Sequence, residues 1–237
     1  MLTPEEWSAL GLSMRVALAS VAITVVPGVA LAWVLARKRF WGRALVDAVV
    51  HLPLVLPPVV VGYVLLLALG RRGWIGRWLY EGLGVEIAFT WKAAAIASAV
   101  MGFPLLVRST RLAIELVDAR IEDAARTLGA NPFRVFVTIT LPLALPGLVA
   151  GVVLAFARSL GEFGATITFA GNIEGVTRTL PSAIYTYTQV PGGEAPAMRL
   201  VLIACGLSLA AVICSEMLAR RLGRRIGGRS SSGEVRP

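Results

Sequence analysis

The stretch from Asp118 to Pro142, DARIEDAARTLGANPFRVFVTITLP, lies between two long apolar runs and is rich in charged residues in its first half. That half predicts a short helix, with Asp118 as the N-cap and Gly129 as the left-handed residue that ends it. Asn131 and Pro132 then supply an N-cap and a first-turn proline for a second helix. We therefore expect a helix–turn–helix corner, charged on one side, between two apolar helices.

Outward from this corner, the chain consists largely of apolar runs. A helix needs about 20 apolar residues to cross the hydrocarbon core of a membrane. Five runs are long enough: Leu12–Ala36, Leu45–Leu69, Ile87–Val107, Val135–Ala157 and Met198–Ala219. The chain is 57% hydrophobic and only 16% charged, whereas roughly a quarter of the residues of a soluble domain are charged. The composition predicts an all-α integral membrane protein with about five transmembrane helices.

Prolines interrupt four of the five apolar runs. They are Pro27, Pro53, Pro57, Pro58, Pro104, Pro142 and Pro146. Each proline removes an amide donor and tends to kink its helix. Membranes tolerate this where neighbouring helices or a water-filled path satisfy the freed carbonyl groups. A single proline is explained by packing alone, but this number favours kinked helices that line a pathway.

The distribution of lysine and arginine predicts the orientation of the chain. With the N-terminus outside, the inner segments 37–43, 108–134 and 220–237 hold 15 basic residues, and the rest of the chain holds 8. Because basic residues accumulate on the cytoplasmic side, this excess favours an external N-terminus and a cytoplasmic C-terminus. The pair Arg71 and Arg72 points the other way.

These features predict three parts of the chain. Residues 1–10 form an external N-terminal segment, and residues 11–217 form the transmembrane domain, with a cytoplasmic loop at 115–134. Residues 220–237 form a basic cytoplasmic tail, partly disordered because its end is rich in glycine and serine.

The sequence lacks the residues that several kinds of enzyme require. Its only lysines, Lys38 and Lys92, do not follow a glycine, so the chain has no ATP-binding P-loop. A single histidine, His51, excludes an H-E-x-x-H zinc site, and its position at the start of an apolar run favours an interfacial imidazole over a ligand. We predict no catalytic residue, no metal site and no cofactor. The net charge of +9 lies in short clusters beside apolar runs, which argues against nucleic acid as a partner.

The charged corner also carries a spaced motif. Asp123-Ala124-Ala125 is followed after three residues by Gly129 and, after nine more, by Ile139-Thr140-Leu141-Pro142. This pattern closely resembles the EAA-x3-G-x9-I-x-L-P signature of ABC importer permeases, the type I transmembrane subunits with an EAA loop. Asp123 stands where that family usually has glutamate, and Glu122 precedes it. The resemblance implies that the corner is a cytoplasmic coupling helix that docks on a separate ATPase. Its coupling residues would be Glu122, Asp123, Ala124, Ala125 and Gly129.

The resemblance covers about residues 11–217 and implies a set of partners. These are a second permease, identical or different, two cytoplasmic ABC ATPase subunits and an external substrate-binding protein. The chain would be a multi-pass protein of a prokaryotic inner membrane, surrounded by lipid, and not an enzyme itself. A passive anion channel is disfavoured because a channel needs no docking site for an ATPase. An integral-membrane enzyme is disfavoured by the missing catalytic groups.

Two further stretches bear on the substrate. His51–Tyr63, HLPLVLPPVVVGY, and Ala157–Thr166, ARSLGEFGAT, resemble the molybdate branch of the family, and the sulfate branch is similar to it. The resemblance favours a molybdate permease, with tungstate or sulfate/thiosulfate as alternatives. A dianion that enters a cell with about 100 mV of negative potential works against roughly 4–5 kcal/mol. A passive channel would therefore leak the anion outward, and we expect import to be coupled to ATP.

The second of these stretches contains the candidate anion pathway, Arg158, Ser159 and Glu162. The simpler interpretation of Arg158 and Glu162 is an i,i+4 ion pair at the membrane interface. The alternative is that Arg158 attracts or passes the anion, because charges within membrane proteins usually mark pathways. Residues 161–171 are apolar apart from Glu162 but too short to cross, so they predict a re-entrant or half-buried element.

Overall fold

The computed structural model describes residues 2–227, and every regular element within them is helical. In chain order the elements are α1 (Pro4–Arg37), α2 (Arg43–Val55), α3 (Pro58–Leu69), α4 (Trp74–Leu83), α5 (Trp91–Glu115), α6 (Ala119–Thr127), α7 (Pro132–Val135), a π-helical turn (Phe136–Thr140), α8 (Leu141–Leu160), α9 (Gly164–Phe169), α10 (Leu180–Thr188) and α11 (Glu194–Gly227).

Four of these helical segments are long and apolar enough to cross a membrane. They are Pro4–Arg37, Trp91–Glu115, Pro132–Leu160 and Glu194–Leu218. The pair formed by α2 and α3 also qualifies when it is taken together, which gives up to five spans. The prediction of an all-α membrane protein is thereby confirmed.

The second predicted span is not one kinked helix. It consists of two helices, and the helix direction bends by 113° between them. Two successive prolines explain the break. The residue before a proline is pushed out of the α region. Leu56, before Pro57, has ψ 144°, and Pro57, before Pro58, has ψ 131°. Two extended residues in a row separate the helices, and Pro58 then begins α3 because its missing amide is not needed there.

The first and last helices extend beyond the apolar runs. α1 begins at Pro4, inside the segment 1–10, because Thr3 and Glu6 form a capping box. The amide of Glu6 donates to Thr3 Oγ1 at 3.2 Å, and the amide of Thr3 donates to Glu6 Oε2 at 2.8 Å. At the other end, α11 continues to Gly227, and residues 228–237 of the predicted tail lie outside the described residues.

α5 forms the centre of the bundle and packs against α1 and α8. Small residues let the backbones of α5 and α8 approach closely. A Cβ atom on Gly151 would lie 3.1 Å from the carbonyl oxygen of Leu106, and one on Gly147 would overlap the Cβ of Ala113. Small residues four apart are the usual means of close helix packing in membranes. This contact holds the N-terminal half and the middle of α8 against α5.

A short helix, α9, packs against α3 beside the C-terminal end of α8. A Cβ atom on Gly62 of α3 would lie only 2.5 Å from the carbonyl oxygen of Ala165 in α9. With six residues α9 is too short to span, and its Ala165, Thr166 and Phe169 are buried. The structure thus packs this short segment into the bundle, and the re-entrant or half-buried position of residues 161–171 in the membrane stays a prediction.

Candidate functional site

The corner between α5 and α8 has the predicted local structure. Asp118 caps α6, its Oδ1 accepting from the amide of Arg120 at 2.9 Å. Gly129 follows the helix with φ +86°, a conformation that side-chain-bearing residues rarely adopt. Asn131 Oδ1 accepts from the amide of Arg134 at 2.8 Å, which begins the next helix. The two helices of the corner therefore start and stop where local hydrogen bonding directs them.

Glu122 of α6 faces into the helix bundle. It is only 2% exposed. Its Oε1 accepts from Arg37 Nε at 3.1 Å, from Arg37 Nη2 at 2.8 Å and from Thr140 Oγ1 at 2.8 Å. Arg37 Nη2 also donates to the carbonyl of Val117 at 2.9 Å. We call Glu122, Arg37 and Thr140 the Glu122 node, which joins the end of α1, the corner helix and the start of the α8 span.

The third member of the node lies in the π-helical turn, Phe136–Thr140. The amide of Leu141 donates to the carbonyl of Phe136, five residues back. Pro142 follows directly and has no amide hydrogen of its own, so the regular ladder is already interrupted at this point. Turns of this kind occur often at functional sites. Here the buried hydroxyl of Thr140 meets Glu122, a contact that sequence reasoning missed although Thr140 belongs to the quoted I-x-L-P motif.

The opposite side of the corner is exposed. The Asp123 side chain is 67% exposed and pairs only with Arg126, at 3.1 Å, among the described residues. Ala124 is exposed, and Leu128 is 89% exposed. Phe133 of α7 is also exposed. Of the five predicted coupling residues, Glu122 thus points inward, Ala125 is half-buried, and Asp123, Ala124 and Gly129 lie on the surface.

The predicted ion pair between Arg158 and Glu162 is present, at 2.6 Å between Nη1 and Oε2. Its burial differs from that of an interfacial pair, because the Glu162 side chain is 1% exposed and that of Arg158 is 28% exposed. The Oε2 contact is ionic rather than a well-aligned hydrogen bond. Glu162 Oε1 accepts from the amide of Ala165 at 2.8 Å. The carboxylate therefore holds the start of α9 as well as Arg158.

Ser159, the third candidate pathway residue, is buried within the helix bundle. Its hydroxyl accepts from Ser20 Oγ at 2.8 Å and donates to the carbonyl of Ser98 at 3.4 Å. These bonds tie α8 to α1 and α5. Of the three predicted pathway residues, Arg158 is the one whose side chain keeps substantial exposure.

Residues 28–227 match the protein family described as "Binding-protein-dependent transport system inner membrane component". The match spans most of the chain and includes the whole corner. The chain belongs to this family. It is an inner membrane protein and a transport component rather than an enzyme, with ATP hydrolysis on a separate subunit.

Relatives within the family are similar over nearly the full chain. The molybdenum transport system permease protein ModB of Escherichia coli (strain K12) is 57% identical, covering 96% of this chain and 99% of its own length. ModB of Haemophilus influenzae is 53% identical, covering 94% and 97%. The sulfate transport system permease protein CysT of Escherichia coli is 39% identical, covering 85% and 72%. The resemblance to the molybdate branch is confirmed.

Solved structures of other ABC transporters show the same fold. A chain of a bacterial alginate ABC transporter superimposes with a TM-score of 0.74 at 17% identity, covering 94% of this chain and 81% of that one. A chain of an amino acid ABC transporter superimposes with a TM-score of 0.65 at 19% identity, covering 92% and 94%. At this identity the likeness concerns the fold alone.

Proposed function

We propose that this chain is the membrane-spanning permease subunit of an ATP-driven importer of molybdate. The observation that carries the proposal is the difference in identity between two branches of the family. The molybdenum permeases of two organisms are 57% and 53% identical to the chain, and the sulfate permease of one of these is 39% identical. The two molybdenum permeases match over 96% and 94% of this chain, which includes the part that would form the anion pathway.

The assembly would contain two permease chains, two cytoplasmic ATPase subunits and an external substrate-binding protein. The exposed surfaces of the single chain support the second permease. α2 contributes no buried residue, and α3 contributes only Val61 and Gly62. A helix that is apolar and unburied in one chain meets either lipid or protein in the assembly. In a homodimer, each chain would cover this exposed face of α2 and α3 on the other, which is the simplest arrangement.

α6 would be the coupling helix. Its outward side presents Asp123, Ala124 and Leu128 to an ATPase, while its inward side is fastened by the Glu122 node. Because Glu122 bonds both Arg37 and Thr140, a movement of α6 pulls on α1 and on the start of α8 together. The corner would lie in the cytoplasm, with the N-terminus outside, as the distribution of basic residues favours. Five spans satisfy this orientation when α2 and α3 count as one broken span.

The anion would pass Arg158, whose guanidinium is partly exposed and partly neutralised by Glu162. A guanidinium offers planar paired donors that suit tetrahedral oxyanions. Because Arg158 is paired with Glu162, it would bind a dianion less tightly than a free arginine would. Transport requires this, since a bound ion must also be able to leave.

Reconstitution into liposomes tests the function. The chain, its ATPase partner and its binding protein should take up radiolabelled molybdate only when ATP is present on the ATPase side. Excess tungstate should compete, and sulfate should compete poorly. Uptake without ATP would indicate a passive channel, and preferential uptake of sulfate would assign the chain to the other branch.

A further inference from the structure

A charged pocket lies between α2 and α5, on the same side of the bundle as the corner. Its volume is about 340 Å³. The lining residues are Asp47, His51, Arg108, Arg111, Leu112 and Glu115. The sequence interpretation assigned none of them a role beyond an interfacial imidazole for His51.

The two carboxylates of the pocket are already neutralised. Arg111 Nη1 lies 2.8 Å from Asp47 Oδ1, and Arg111 Nε lies 2.9 Å from Glu115 Oε1. Arg43 adds a longer contact to Glu115, at 3.5 Å. Arg111 is therefore held by a carboxylate on each side, which fixes its orientation and ties α2 to α5.

Arg108 is the cation left over. It is exposed into the pocket region and has no ion-pair or hydrogen-bond partner within residues 2–227. Arg43 does not line the pocket but pairs with Glu115, so Arg43 and Arg111 together balance the two carboxylates and the charge of Arg108 remains uncompensated. The ring of His51 is anchored by a 2.8 Å bond between its Nδ1 and the carbonyl of Asp47. An uncompensated cation in a concave site beside apolar Leu112 is suited to an anionic group.

We propose that this pocket binds a tetrahedral oxyanion group, with Arg108 as its direct contact and with Arg111, paired to both carboxylates, as the side chain that holds the pocket wall in place. Two sources supply that chemistry. One is the transported oxyanion, an identification that rests on the proposed function. The other is the phosphate of an anionic lipid, since anionic headgroups lie at the cytoplasmic membrane surface. The pocket binds the same kind of group in either case.

The position of Arg108 makes it separate from Arg158. Ser98 of α5 contacts Ser159, the neighbour of Arg158. Arg108 follows ten residues later on the same helix, which corresponds to about 15 Å along its axis. Arg108 and Arg158 thus lie at different heights along the bundle axis. Several weak sites in series allow an ion to enter and to leave, whereas a single strong one retains it.

Binding measurements on the purified complex of chain and ATPase test the pocket, without the external binding protein. Equilibrium dialysis measures bound radiolabelled molybdate, and native mass spectrometry measures retained phosphatidylglycerol. Arg108→Gln should weaken either molybdate binding or phosphatidylglycerol retention by about tenfold or more. Arg108→Lys should weaken the same quantity less. Arg39→Gln is the matched control, because Arg39 is also exposed near the inner end of a helix but does not line the pocket. It should change neither quantity.

The two readouts distinguish the sources. Loss of molybdate binding assigns the pocket to the transported anion, and loss of lipid alone assigns it to a headgroup. If Arg108→Gln leaves both at the parental level, the proposal is overturned. Should that variant not assemble, Leu112→Trp narrows the same pocket without a change of charge and should lower the same quantity. A parental complex that takes up no molybdate would refute the proposed function, while the lipid measurement would still decide the pocket.

Discussion

Glu122 shows how one carboxylate determines the position of the corner. Three donors from two other segments converge on its Oε1, and the side chain is almost completely buried. Removing one partner of a buried charge pair leaves the other charge uncompensated, which typically costs about 3–5 kcal/mol. Its neighbour Asp123 carries the same charge on the exposed side, where ion pairs contribute about 1 kcal/mol or less. The two adjacent residues therefore have separable roles.

We expect Glu122→Gln to lower the thermal stability of the purified chain and to reduce uptake. Asp123→Asn is the matched control, and it should leave stability within about 0.5 kcal/mol of the parent. Thermal unfolding in detergent measures the first quantity and co-purification with the ATPase measures docking. Equal stability of the two variants would show that the Glu122 node does not hold the corner.

Gly129 ends the corner helix in a left-handed conformation, and nothing lies within 4 Å of the position of an added Cβ. A substitution there is therefore penalised by backbone conformation rather than by a clash. Gly129→Val should abolish uptake while the protein still inserts, because β-branched residues are strongly disfavoured at positive φ. Gly129→Asn should retain most of the uptake, because asparagine tolerates this conformation. Uptake at the parental rate by Gly129→Val would contradict the assignment.

Arg158 and Glu162 form a pair in which the carboxylate is buried, so their separation by mutation has a larger effect than for an exposed pair. Arg158→Gln should lower stability and uptake, because Glu162 is left without its cation. Adding Glu162→Gln should restore stability. Uptake decides between the two interpretations of Arg158. If the double variant also recovers uptake, the pair is structural, and if uptake remains low in a stable protein, Arg158 contacts the anion.

At the scale of elements, α9 and the broken pair of α2 and α3 form the least regular part of the bundle. α3 and α9 are held together by backbone contact at Gly62, where there is no room for a side chain. α9 is in turn attached to the end of α8 through the bond from Ala165 to Glu162. A displacement of α8 would therefore reach α3 through α9.

Gly62→Ala should destabilise the protein by about 1–3 kcal/mol, because its Cβ would lie 2.5 Å from the carbonyl oxygen of Ala165. Gly206→Ala in α11 is the matched control, since nothing lies within 4 Å of that Cβ. It should stabilise slightly, by at most about 1 kcal/mol, because alanine favours helix over glycine. Thermal unfolding of both variants checks the sign of each effect. A stabilising Gly62→Ala would rule out the close α3–α9 contact.

The arrangement of the whole molecule in the membrane is tested by its topology. A reporter fused after Arg225 should lie in the cytoplasm, and one inserted near Gly192 and Gly193 should lie outside. These positions flank the span at Glu194–Leu218, so the two reporters must lie on opposite sides. Reporters on the same side would refute the five-span arrangement.

For the whole chain, the sequence determined the features that depend on neighbouring residues. Hydropathy over about 20 residues predicted the membrane helices, because each backbone bond of a helix is satisfied within its own segment. Asp118, Gly129 and Asn131 predicted the helix ends of the corner, because caps act within three or four residues. The consecutive Pro57 and Pro58 predicted a kink.

The tertiary structure decided what depends on residues far apart in the chain. The buried Glu122 accepts a hydrogen bond from Arg37, 85 residues away. Ser159 accepts one from Ser20, 139 residues away. No local pattern distinguishes the inward Glu122 from the outward Asp123, because each is one charge in a short polar helix. The 113° bend between α2 and α3 and the pocket at Arg108 also depend on how helices pack. The local sequence allows several orientations of each helix. Packing selects the orientation in which buried charges such as Glu122 are paired.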